Sequence, residues 1–81
     1  MYRMEITLTA VYEEVPLSDG GGFVAYAEEL PGAITQGETI EEARENLRDA
    51  VEELLEANRA LAKEGQSGRK VIHEPLTVSP A

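Results

Sequence analysis

From residue 2 to residue 12 every even position is apolar: Tyr2, Met4, Ile6, Leu8, Ala10 and Tyr12. Between them stand Arg3, Glu5, Thr7, Thr9 and Val11. A period of two predicts a strand with one buried face. The run "PLSDGGG", residues 16–22, is a loop rich in turn formers. "FVAYAEE", residues 23–29, reads as a second strand. Phe23, Ala25 and Ala27 point one way, Val24 and Tyr26 the other. Both of its sides are apolar, which predicts a central strand and a second sheet face that is not wholly wet.

After Leu30 come Pro31 and Gly32. Proline fixes one turn dihedral, and glycine accepts the positive φ that a type II turn needs next. The chain should reverse there into a short third strand over residues 33–37. Gly37 gives it freedom to turn off the sheet. Thr39 and Glu42 then form a T-x-x-E capping box: the Thr39 hydroxyl accepts the Glu42 N–H, and the Glu42 carboxylate reaches back to the Thr39 N–H.

A helix is predicted over residues 40–64. Ile40, Ala43, Leu47, Ala50, Val51, Leu54, Leu55 and Leu61 form one apolar stripe at helical spacing. Gly65 is the expected C-cap. A loop over residues 65–70 leads to a last strand over residues 70–80. Pro75 lacks an N–H for the ladder, so this strand should lie at an edge.

The predicted order is β-β-β-α-β. Two hairpins give a mainly antiparallel α+β sheet with the helix on one face. A right-handed crossover lays the last strand parallel beside the first, in the order 3-2-1-4. A helix of about 25 residues spans roughly 37 Å, whereas strands of seven to nine residues span roughly 23 to 30 Å. The helix end near Leu61 should therefore overhang the sheet. The overhang and the second apolar sheet face both predict self-association or a partner.

Length and charge bound this picture. The chain has 81 residues, so residues 1–81 are expected to form one domain. A domain this small buries only about 60% of its unfolded surface. It has no cysteine to staple it, which suits a reducing cytoplasm. No apolar run approaches a membrane span, and the alternating first residues are unlike a signal peptide. The formal net charge is -9, which opposes direct nucleic-acid binding and favours a basic protein partner.

The residues offer little chemistry. His73 is the single histidine and cannot make a multi-histidine metal site. Glu41, Glu42, Glu45, Asp49, Glu52, Glu53 and Glu56 read first as a solvated helix face. Glu45 with Asp49 and Glu52 with Glu56 are like-charge i,i+4 pairs that mildly oppose the helix. A helix that tolerates them has reason to keep the charge for a partner. The glycines at 20–22 lack the pattern of a phosphate loop. No cofactor, metal site or catalytic set is predicted, and a metal-dependent nuclease built on the carboxylates is the weakest alternative.

Residues 21–55, "GGFVAYAEELPGAITQGETIEEARENLRDAVEELL", resemble the HicB family of antitoxins. The match runs through Phe23, Leu30, Pro31, Gly32, Thr35, Gly37, Glu38, Thr39, Glu41, Glu42, Ala43, Asn46 and Ala50. Ala33 stands where family members often carry cysteine. The resemblance implies a partial ribonuclease-H-like fold and a non-enzymatic, cytoplasmic antitoxin. It implies a small, basic, RNA-cleaving HicA-type toxin as partner, occluded on binding. The C-terminal DNA-binding segment usual in such antitoxins is not expected in residues 1–81. Tyr26, Glu28, Glu29, Glu52 and Glu56 are the predicted partner contacts, in a homo-oligomer, either dimer or tetramer. An orphan structural or small-ligand-binding oligomer is the alternative.

Overall fold

The computed structural model describes residues 7–78. Its elements are β1 (Ala10–Glu14), a single 3-10 turn (Leu17–Asp19), β2 (Phe23–Ala27), β3 (Ile34–Gly37) and α1 (Ile40–Gln66). The class is α+β: one antiparallel sheet in the order β1-β2-β3, with α1 packed across one face.

The register fixes which residues share a face. Ala10 pairs with Ala27, and Tyr12 with Ala25, which in turn pairs with Thr35. This row faces α1. Val11 pairs with Tyr26, which pairs with Ile34, and Glu13 pairs with Val24, which pairs with Gln36. Those residues form the opposite, open face. Residues 2–6 of the predicted first strand lie outside the described residues. The second strand stops at Ala27, so Glu28 and Glu29 belong to the turn that follows.

That turn is built by local bonds. The Ala33 N–H donates to the Leu30 carbonyl at 3.1 Å, across Pro31 and Gly32. Gly32 has φ +94°, the left-handed value the third residue of a type II turn requires. At the other hairpin, Val15 N–H donates to the Gly22 carbonyl at 2.9 Å.

The start of α1 differs in detail from the expected capping box. Thr39 Oγ1 accepts from the Glu42 N–H at 3.1 Å. The Glu42 carboxylate takes the N–H of Glu38 at 3.4 Å, one residue before the cap. Gly37 also has a different task from the one predicted. Its φ is not positive. A Cβ there would lie 2.5 Å from the Ala43 nitrogen and 2.9 Å from its Cα. Glycine is required because the first turn of α1 rests directly on the backbone of β3. Asn46 ties the same junction, its Nδ2 donating to the Gln36 carbonyl at 2.9 Å.

The other end of α1 also departs from expectation. The helix passes through Gly65 and ends at Gln66, capped by Ser67. The left-handed glycine is Gly68, φ +75°. The predicted fourth strand is absent from the described residues 70–78, which have no regular structure and are exposed. The reason lies in the length of α1. Its 27 residues run about 40 Å, while a five-residue strand spans about 17 Å. The chain leaves the helix far beyond the sheet, and Pro75 offers no ladder donor. The parallel β1–β4 pairing and the order 3-2-1-4 therefore do not form.

The core is small. Among the described residues the buried ones are Ala25, Ala27, Ala33, Ala43 and Leu47, and no large side chain of these residues is wholly enclosed. Leu8, Tyr12, Phe23, Leu30, Val51 and Leu54 pack around it, half-buried. The radius of gyration is 16.4 Å, against about 12 Å for a compact chain of this length. The overhanging helix accounts for the excess: Leu61 near its end is 66% exposed.

Candidate partner interface

Helical spacing sorts the side chains of α1 into three zones. Ile40, Ala43, Leu47, Val51 and Leu54 face the sheet. Glu41, Glu45, Asp49, Glu52 and Glu56 follow one another at intervals of three or four on the outer surface, all exposed. Arg44 and Arg48 share the flank that overlooks β1, where the Arg44 guanidinium sits 5.9 Å over the Tyr12 ring. The acidic row is a continuous anionic stripe more than two helical turns long. Such a stripe attracts cationic surfaces and repels phosphate.

Tyr26 stands on the open sheet face, in the middle of the row formed with Val11 and Ile34. Glu28 and Glu29 lie in the turn at the end of that strand. Glu52 and Glu56 are on the opposite side of the molecule, beyond the helix. The five predicted contacts thus fall on two surfaces, not one. A single small partner cannot cover both without wrapping the sheet edge.

Glu29 is already engaged. Its Oε1 accepts the Thr9 N–H at 2.7 Å, and its Oε2 accepts the Thr9 hydroxyl at 2.6 Å. The carboxylate ties the approach of β1 to the β2–β3 turn. These two bonds, the hydroxyl first, stabilise the charged form and hold the Glu29 carboxyl below the ordinary glutamate range. The sign follows from that direction. A lowered folded value means that the tie is complete above the unfolded glutamate value and is lost as pH falls through the folded one. The Thr9 amide resonance should therefore shift on acidification, with a midpoint below that of glutamate in an unstructured peptide. The shift should vanish in Glu29→Gln. A Thr9 amide insensitive to pH in the native chain would rule the tie out.

A concavity of about 650 Å³ opens between the glycine loop and the start of α1. Asp19, Glu38, Glu42 and Asn46 line it with the backbone of Gly20, Gly21 and Gly22. His73 is exposed at the far end of the helix, with Nε2 3.0 Å from Gln66 Oε1. Among the described residues no group of three or more His, Cys, Asp or Glu could hold a metal ion, and no helix is long and apolar enough to cross a membrane.

Helical i,i+4 spacing places Arg44 and Arg48 together, a signal the sequence carries once each face of the helix is taken separately.

Residues 7–61 match the model of a family described as UPF0150-like. The chain is 40% identical over 53 residues to the UPF0150 protein ssl0738 of Synechocystis, covering 65% of this chain and 69% of that one. It is 37% identical over 68 residues to a Photorhabdus laumondii protein named Antitoxin HicB 1. That match covers 79% of this chain and 43% of the relative. No solved structure matches.

Proposed function

We propose, from the premise that the chain belongs to the UPF0150-like family, the HicB-like family its motifs resemble, that it acts as a non-enzymatic antitoxin. Its partner is a small basic RNA-cleaving toxin of the HicA type. The observation that carries the reading is the acidic row of α1, set on a chain 37% identical to a protein named as an antitoxin. A ribonuclease must present cationic side chains to hold RNA. An anionic stripe of Glu41, Glu45, Asp49, Glu52 and Glu56 competes for those same side chains. Occlusion then needs no chemistry from the antitoxin, only charge and bulk.

The β-β-β-α order, with α1 resting on β3 at Gly37, supports reading the fold as part of a ribonuclease-H-like domain. The small core and the exposed apolar residues support self-association in the cytoplasm. Tyr26 and Glu28, on the other side of the sheet, supply a second contact surface in such an assembly.

The test is binding of a purified, catalytically inactivated basic toxin of this type. The native chain should protect RNA from the active toxin at equimolar ratio. Glu52→Lys with Glu56→Lys should slow association about tenfold or more at low salt and flatten its salt dependence. Neither residue touches the core, so the variant stays folded. Unchanged association at low salt would remove the acidic row from the interface. No protection of RNA by the native chain would remove the antitoxin reading.

A further inference from the structure

We propose that the groove along the free edge of β1 receives the segment 71–78 of a second copy of this chain. The groove is a cavity of about 270 Å³ between that edge and α1, floored by Ala10, Tyr12, Ala27 and Leu47 and flanked by Arg44 and Arg48. Among the described residues β1 pairs only with β2, so one side of its backbone has no strand partner there. An unpaired strand edge beside an apolar trough is a docking site for an extended chain.

The occupant is identified by chemistry and by reach. Seven large apolar side chains of the described residues are exposed, and four of them, Val71, Ile72, Leu76 and Val78, lie in this one segment. The segment also carries Glu74. Arg44 and Arg48 place positive charge on the groove flank, with Glu41 and Glu45 behind them on the outer face. The flank therefore suits an acidic chain and repels the basic partner proposed for the other side.

In this arrangement the segment does not occupy its own groove: none of residues 71–78 lines it, and all of them are exposed. The near end of the groove is at Val51, and Gln66 lies about 22 Å further along the helix axis. His73 lies beside Gln66, with Nε2 3.0 Å from Gln66 Oε1. The apolar side chains of the segment are thus left away from their own sheet. A second copy, laid antiparallel with its overhanging helix alongside the first, brings each segment to the other's β1 edge. Both grooves are filled in the same closed two-fold arrangement.

This inference rests on the self-association proposed above and names its joint. It does not depend on toxin capture, which uses the acidic row and is read by RNA protection. The chain has no cysteine, so placed thiols report cleanly. Ala10→Cys and Thr77→Cys are made in separate chains of different tag mass, mixed, and joined with a short bismaleimide. The expected product is a mixed dimer, absent when the Thr77→Cys chain also carries Ile72→Glu and Leu76→Glu. Light scattering should show a dimer or a multiple of it for the native chain. The Ile72→Glu, Leu76→Glu chain should fall to half that mass with unchanged helix content, because both residues are exposed in the single chain. A doubly substituted chain that joins only to itself would overturn the exchange in favour of the chain's own segment. A monomeric native chain, or an unchanged mass in the glutamate variant, would overturn the proposal outright.

Discussion

Replacing Gly37 with alanine is expected to destabilise the protein by about 3 kcal/mol, at the upper end of what overpacking costs. The added Cβ would meet the Ala43 nitrogen at 2.5 Å and the Glu42 carbonyl carbon at 3.0 Å. These are backbone atoms, which cannot rotate aside as a side chain can. The first turn of α1 must lift from β3. The lift loosens Ala43, which is fully buried, and stretches the Asn46 bond to Gln36. Urea denaturation followed by circular dichroism measures the loss. Gly65→Ala makes the comparison internal. Its Cβ would meet nothing within 4 Å, and it lies inside the helix, so it should stabilise by roughly 0.5–1 kcal/mol. A Gly37→Ala chain as stable as the native one would show that the junction yields, and that the glycine serves no packing purpose.

Leu47→Ala is expected to cost about 2–4 kcal/mol. Leu47 is the only large residue in the buried set and is 5% exposed. Every other buried residue among those described is alanine, and the half-buried Leu8, Val51 and Leu54 around it fill the space only in part. In a domain of this size such a loss lowers the thermal midpoint by about 10–25 °C. The experiment is calorimetry at one fixed protein concentration, since self-association would itself move the midpoint. A change below about 1 kcal/mol would mean that the helix–sheet seam collapses around the deletion.

The parts of this fold that were legible in the sequence are those decided within a few residues. Thr39 lies three residues before Glu42, and the cap bond needs nothing more distant. Pro31 and Gly32 set a turn by their own dihedral limits. The apolar stripe of α1 reports its buried face because a helix has a fixed period. The class and the three antiparallel strands followed from these.

What was not legible depends on distance. Residues 70–80 alternate as a strand does, and the pattern carries no information about how far the helix delivers them from the sheet. In the structure the helix runs on to 66, His73 lies beside Gln66, and residues 70–78 stay off the sheet. Gly37 looked like a hinge because close approach between two backbones leaves no mark on neighbouring residues. Glu29 reads from the sequence as a partner contact, and its carboxylate is tied to Thr9 instead. Thr9 is twenty residues away in sequence, and no local pattern announces that pairing. The candidate contacts suffered from the same limit: Tyr26 is half-buried on the open sheet face and Glu52 is exposed on the helix, and only the sheet register shows that they face apart.

The four buried alanines have a consequence for how such a protein can change over time. A seam lined by alanine and closed by Gly37 admits almost no substitution, because nearly every replacement adds volume where none is free. Compensating pairs of changes have only Leu47 and the half-buried ring around the seam to draw on. Sequence drift is thereby channelled to the outside of α1, the open sheet face and the segment after the helix. Those surfaces can follow a changing partner through successive charge and shape alterations while the interior stays fixed. Recognition and folding become separately inherited traits within one chain of 81 residues.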